Sequence, residues 1–205
     1  MPVSPNVPQV LFTAPSTAEV WGAGSLHNLT WQGLDLDGDA LSYSVFYSND
    51  AGASWELIAS ELAETTLSVN ANDLAGGSDV RFRVVVTDGL NTAFDETDQT
   101  ISVPNKAPFA TVLNPLDGSY FKVGELVVLT GMGIDLEDGT LPDELLSWAS
   151  NKDGTLGIGP SLPINSLTRG KHIITFTVID SNGVSTALTL NIMVGEQLYL
   201  GVLTR

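Results

Sequence analysis

The chain carries the same acidic phrase twice. Gly33-Leu34-Asp35-Leu36-Asp37-Gly38-Asp39-Ala40-Leu41 returns 100 positions later as Gly133-Ile134-Asp135-Leu136-Glu137-Asp138-Gly139-Thr140-Leu141. Each copy lies between two apolar, strand-like runs. Each half then has a second acidic turn, Val86-Thr87-Asp88-Gly89 and Val178-Ile179-Asp180-Ser181-Asn182-Gly183. A repeat this long means two copies of one kind of domain. The expected division is 1–104 and 105–196, with 197–205 a tail or linker stub. Either half is long enough to bury a core without disulfides, and the chain has no cysteine.

Hydrophobic period two dominates, and no segment sustains a helical period. Gly, Asn and Asp punctuate short β-branched and aromatic runs, so the expected class is all-β: two tandem sandwiches joined by a short linker. In Val80–Val86 the alternation points Val80, Phe82, Val84 and Val86 inward and Arg81 and Arg83 outward. Tyr43, Val45 and Tyr47 share one face of their strand, and Ile174, Phe176 and Val178 point into the second core. A single strand is expected over 157–164 and another over 92–103. Val103-Pro104-Asn105-Lys106-Ala107-Pro108, with two prolines, reads as a stiff joint.

The net charge is −16, unevenly divided. Residues 1–104 hold 14 acids against Arg81 and Arg83, a net −12; residues 105–205 hold 10 acids against 6 bases, a net −4. Such a surface repels phosphate backbones and anionic lipid, which argues against nucleic-acid and membrane-surface partners. No run approaches the roughly 20 apolar residues of a membrane helix. The proline-rich start reads as a linker behind an added methionine, as in a fragment of a longer chain whose neighbouring domains are its first partners.

Leu29-Thr30-Trp31 followed by Tyr43-Ser44-Val45-Phe46-Tyr47 resembles strands B and C of a fibronectin type III domain. Leu74-Ala75-Gly76-Gly77-Ser78-Asp79-Val80-Arg81-Phe82-Arg83-Val84 resembles its E–F corner and F strand. Val80 stands where that family places a tyrosine, so the hydroxyl bond that pins the corner is expected to be missing. The second half, with Leu145–Trp148 and His172–Gly183, resembles the Ig-like and polycystic-kidney-disease-type modules of bacterial and archaeal exported proteins. The resemblance implies an extracellular or cell-surface setting, prokaryotic in kind, and serves spacers, adhesins and enzyme appendages alike.

In a sandwich of this topology the B–C and F–G loops emerge at one end. Asp35, Asp37 and Asp39 are then expected near Asp88 and Asn91, and Asp135, Glu137 and Asp138 near Asp180 and Asn182. Crowded carboxylates raise one another's pKa unless a cation sits among them. Oxygen-only donors suit Ca²⁺, so one Ca²⁺ per domain is the functional reading. The spacing is not that of an EF-hand, and Asp37-Gly38 and Asp138-Gly139 satisfy turn chemistry without a metal; both readings stand open. The acidic end of the second domain is expected to face the linker and the end of the first that carries Asp73 and Asp79. The junction faintly resembles that of cadherins, with Lys106 in place of an acid. A cation there would stiffen the joint.

Ser48-Asn49-Asp50-Ala51-Gly52-Ala53-Ser54-Trp55 fits the Asp-box pattern, in which the aspartate caps a hairpin turn over the tryptophan, a structural device. Trp31 and Trp148 are expected in the cores. Trp21, in Trp21-Gly22-Ala23-Gly24, is the candidate exposed face for stacking a sugar. Asn28-Leu29-Thr30 is a glycosylation sequon within a strand. His27 and His172 lie in different domains with no nucleophile motif beside them, and no phosphate loop or metalloprotease motif occurs, so no enzyme activity is expected. Three readings follow. The first is a non-catalytic spacer or adhesive arm of a larger surface protein, stiffened by calcium, with a protein or glycan ligand. The second is a carbohydrate-binding appendage of a secreted hydrolase. The third is a subunit of a surface filament, surface layer or virus particle, in which the tail 197–205 pairs with a neighbouring chain.

Overall fold

A computed structural model describes residues 4–196; the tail 197–205 lies outside the described residues. The chain divides into two compact units after Lys106, two residues beyond the expected boundary.

Unit 1 comprises β1 (Gln9–Ala14), β2 (Glu19–Val20), β3 (Leu26–Leu34), β4 (Ser42–Ser48), β5 (Glu56–Leu62), β6 (Thr66–Asn70), β7 (Gly77–Thr87), β8 (Thr92–Glu96) and β9 (Ile101–Val103). One sheet runs β1-β3-β6. The other runs β2-β9-β7-β4-β5, with β8 also on β7. This is the strand order A-B-E against A′-G-F-C-C′ of immunoglobulin and fibronectin type III sandwiches. Its last strand is split, so the expected strand over 92–103 is two. The pairs are antiparallel except β2 with β9.

Unit 2 repeats the order with β10 (Phe109–Asn114), β11 (Ser119–Lys122), β12 (Val127–Asp135), β13 (Gly139–Thr140), β14 (Leu146–Ser150), β15 (Gly154–Ile158), β16 (Ser161–Ile164), β17 (Gly170–Ile179) and β18 (Ser185–Gly195). β10-β12-β16 form one sheet, with β13 on β12, and β11-β18-β17-β14-β15 the other. The strand expected over 157–164 is therefore two strands in different sheets. Gly159 at φ +100 and Pro160 break it, because a left-handed glycine and a residue without N–H cannot continue a ladder. Among the described residues no helix is long and apolar enough to cross a membrane.

The alternation in β7 does what period two demands: Val80, Phe82, Val84 and Val86 are wholly buried between the sheets. From β4 come Tyr43, Val45 and Tyr47, and from β3 Leu29 and Trp31. In unit 2, Ile174, Phe176 and Val178 of β17 meet Trp148, Leu129 and Ile192. The Trp148 ring stacks on Phe176 at 4.3 Å and its Nε1 donates to the Gly159 carbonyl. Each such large apolar side chain contributes about 1.5–3 kcal/mol by leaving water.

The E–F corner departs from expectation. Val80 is in the core, but the corner is still pinned by a phenol. Tyr47, from β4, donates its hydroxyl to the Ala75 carbonyl. The bond expected to be missing is supplied from a different strand.

Candidate functional site: the acidic poles

In unit 1 the chain leaves β3 into an Asx turn. Asp35 Oδ1 accepts the main-chain N–H of Asp37 at 2.8 Å and of Asp39 at 3.2 Å, and Gly38, at φ +75, lets the loop close. Carboxylate oxygens of Asp35, Asp37 and Asp39 lie within 4.8 Å of one another. The second oxygen of Asp35 is buried and meets no donor.

The F–G loop reaches the same pole. Asp88 Oδ1 accepts the N–H groups of Leu90 and Asn91, at 2.7 and 2.6 Å. Between the loops lies the segment before β1. The Ser4 hydroxyl sits 2.8 Å from Asp88 Oδ2 and 3.3 Å from Asp37 Oδ2, and Asn6 gives Asp37 both its main-chain N–H (2.9 Å) and its amide (2.6 Å). Asn91 Nδ2 closes the circuit on the Ser4 and Asn6 carbonyls. Asp37, Asp88 and Asn91 are thus gathered, as the topology requires. Ser4 and Asn6 fall in the segment expected to be linker; a Ser-Pro-Asn run just before an edge strand is its sequence signal, and it has no period to betray it.

Unit 2 builds its pole more deeply. Asp135, the last residue of β12, is 3% exposed, and Asp180, just after β17, is 2% exposed. Asp135 Oδ1 accepts the N–H of Glu137 (2.9 Å) and Asp138 (3.0 Å), while its Oδ2 is buried without a hydrogen-bond donor. Asp180 Oδ1 accepts from Asn182 N (2.9 Å) and Val184 N (2.7 Å). The two loops are clasped directly: Asp138 takes the Ser181 N–H and hydroxyl on its two oxygens, each at 2.8 Å. Glu137 is half-buried beside them and Asn182 is exposed on the hairpin tip.

The electrostatics differ from the expected mutual repulsion. Asp37 is held below the ordinary carboxylate range, chiefly by the Asn6 main-chain N–H; the nearby Asp88 charge opposes this only weakly. Asp88 is held down first by the Asn91 N–H, and Asp138 by the Ser181 N–H and then its hydroxyl. Donors aimed at the charged form outweigh crowding of like charges.

Trp21 is not a stacking platform. It is 1% exposed, and its ring lies flat on His27 at 4.0 Å and 5° and stacks on Phe82 at 5.4 Å. Its Nε1 donates to Glu19 Oε2 at 2.8 Å. The glycine turn that suggested exposure follows it, but the parallel pairing of β2 with β9 carries the ring inward. Trp31 and Trp148 are in the cores.

In the Asp-box hairpin Asp50 accepts Ser54 N–H (2.9 Å), Ser54 Oγ (2.7 Å) and Ser48 Oγ (2.7 Å). Trp55 covers the turn at Gly52. Its other neighbour is Arg83, whose guanidinium lies 4.1 Å from the Trp55 ring and 4.8 Å from Phe94, and pairs with Glu96. His172 is buried in unit 2 between the Ser150 hydroxyl and the Thr168 carbonyl.

No protein-family model and no curated protein matches the chain. Solved structures with a similar course include the fibronectin(III)-like modules of Clostridium thermocellum CbhA, at 18% identity, TM-score 0.41, 93% of this chain and 98% of that one. The N-terminal four Ig domains of Dscam1 isoform 7.44 align at 16% identity and TM-score 0.44, over 95% of this chain. The chain spans about half the Dscam1 structure's length, 47%. The immunoglobulin and fibronectin type III-like fold of the chain rests on the strand order itself.

Proposed function

We propose that the chain is a non-catalytic structural or adhesive module of a larger extracellular or cell-surface protein, and that its second acidic pole takes up Ca²⁺. The observation that carries the cation is Asp135. A carboxylate almost wholly removed from water, with one oxygen meeting no donor, is costly unless a cation compensates it. Glu137, two residues after Asp135, and Asp180, on the loop clasped to it, carry only oxygen donors, the kind Ca²⁺ prefers, and Asn182 adds an amide carbonyl. Among the described residues the carboxylates already within 4.8 Å of one another are those of Asp35, Asp37 and Asp39 in unit 1, so the unit 2 side chains would have to close on the ion. Asp138 is bound to Ser181 and holds the two loops together. β10 begins at Phe109, opposite Ile134 and one residue from Asp135 along the sheet. A cation would therefore fasten the loops where the linker reaches unit 2. The equivalent set in unit 1, Asp35, Asp37 and Asp39 with Asp88, is the weaker candidate, because Ser4 and Asn6 already occupy Asp37 and Asp88.

The test is calorimetric unfolding of the whole chain with Ca²⁺ or with chelator, alongside a binding titration. Saturation at about 100 times Kd adds about 2.7 kcal/mol, which raises the melting temperature of a domain this size by roughly 10 °C or more. Asp135→Asn should abolish the shift. Neither heat of binding nor a shifted transition would remove calcium from this reading and leave the bare structural module.

A further inference from the structure

The two units differ on the open side of the sandwich, where the outermost strand of one sheet meets the outermost strand of the other. In unit 1 this stretch, residues 56–73, contains β5 and β6 and carries Glu56, Glu61, Glu64 and Asp73. β5 is further defended by two register irregularities against β4 and by Glu61 at φ +56. Charge and bulging are the usual means of keeping an edge from pairing with another chain.

In unit 2 the same side, residues 154–168, contains no charged residue. β16 is blunted by Pro163, with Pro160 just ahead of it. β15, Gly154-Thr155-Leu156-Gly157-Ile158, is not. It is the last strand of its five-stranded sheet, and among the described residues nothing pairs with its outer side. It has one bulge, opposite Trp148 and Ala149, and Ile158 is 58% exposed. On a chain of net charge −16, a second strand meets no charged residue along this stretch.

The exposed charges at its two ends are opposite. Exposed Lys152 stands two residues before Gly154, its ammonium resting on the Arg169 carbonyl, and Asp153 between them is half-buried with its carboxylate taken up by the Thr168 N–H and hydroxyl. At the far end exposed Asp143 sits against Gly159, where an added Cβ would come 3.8 Å from its Oδ2. An antiparallel partner of the same sequence brings each basic end beside the acidic end of the other copy. A parallel pairing would place like beside like.

We propose that β15 is a self-association edge: two copies of this chain pair β15 to β15, antiparallel about a twofold axis, with Lys152 of each copy beside Asp143 of the other. The contact is isologous, so it closes at a dimer. The inference is independent of any cation at the acidic pole.

Sedimentation equilibrium of the whole chain over a wide concentration range, at physiological ionic strength, tests it. A reversible monomer–dimer equilibrium is expected. Ile158→Lys should weaken it by roughly tenfold or more. Lys152→Glu and Asp143→Lys should each weaken it, and the two together should restore it. The charge-swap pair keeps the test decisive if Ile158→Lys folds poorly. The chain remaining monomeric at every concentration would overturn the proposal. So would a dimer that survives the single charge reversals, or one that disappears only when residues 197–205 are removed.

Discussion

Tyr47 on β4 donates its phenolic hydroxyl to the main-chain carbonyl of Ala75, at the corner where the chain turns from β6 into β7. The ring is buried against Phe82 at 5.6 Å. Trading the hydroxyl for hydrogen keeps the ring and deletes one bond to a half-buried carbonyl. Tyr47→Phe should cost unit 1 about 1 kcal/mol, a fall of about 4–8 °C in its melting temperature. Differential scanning calorimetry reads this directly. An unchanged transition would mean that the corner is held by the Asn70 side chain on the Asn72 N–H alone.

The duplicated glycine that opens each acidic phrase is a packing residue. A Cβ on Gly133 would stand 2.5 Å from Val178 Cγ1, and one on Gly33 1.9 Å from the Tyr43 hydroxyl. Val178 is β-branched and wholly buried, so it has little room to turn aside. Gly133→Ala should therefore destabilise unit 2 by about 1–3 kcal/mol through overpacking, visible as a lowered midpoint in denaturant with the slope unchanged.

Trp21 belongs to the same class of argument. Its indole fills the space between His27 and Phe82 and ties Glu19 through Nε1. Trp21→Ala should cost about 3–5 kcal/mol, and Trp21→Phe less, because it keeps the rings stacked and loses the hydrogen bond. The order of the two variants in chemical unfolding is the check. A glycan-binding defect in Trp21→Ala would then report an unfolded unit 1.

Much of this was legible where a period carried it. The inward rows of β7 and β17 follow from strict alternation, and the gathering of Asp37 with Asp88 follows from sandwich topology once the strands are placed. The illegible parts depend on distant partners. Trp21 is expected exposed because a glycine-rich turn, Gly22-Ala23-Gly24, follows it; its burial comes from β9, remote in sequence. Ser4 and Asn6 looked like linker because three residues of a hydrogen-bonded strap have no period. His172 continues the inward row of Ile174 and Phe176, but it takes the Ser150 hydroxyl, the Thr168 carbonyl and the Asp153 carboxylate 3.7 Å away, all on other segments, to make that position tolerable for an imidazole. The corner bond is expected at the Val80 position, where fibronectin type III domains place a tyrosine, and not from Tyr47, which the alternation places only on one face of its strand.

Acid should unfold unit 1 through its capped aspartates. Asp50 is lowered from 3.8 to about 2 by the Ser54 hydroxyl, the Ser54 N–H and the Ser48 hydroxyl, in that order. Asp37 and Asp88 are lowered by N–H donors from Asn6 and Asn91. A carboxylate whose pKa is lower folded than unfolded contributes stability above its unfolded value, and that contribution disappears as pH falls through the folded one. For Asp50 the window runs from about pH 4 down to about pH 2. The melting temperature of unit 1 should therefore hold steady above about pH 5 and fall steeply below about pH 4. Asp50→Asn, which keeps an acceptor but cannot titrate, should lie below the native protein at neutral pH and converge with it in acid. Two curves running parallel down to the lowest pH would show that the Asp-box carboxylate contributes nothing through its charge, and that the acid sensitivity resides in the Ser4–Asn6 strap.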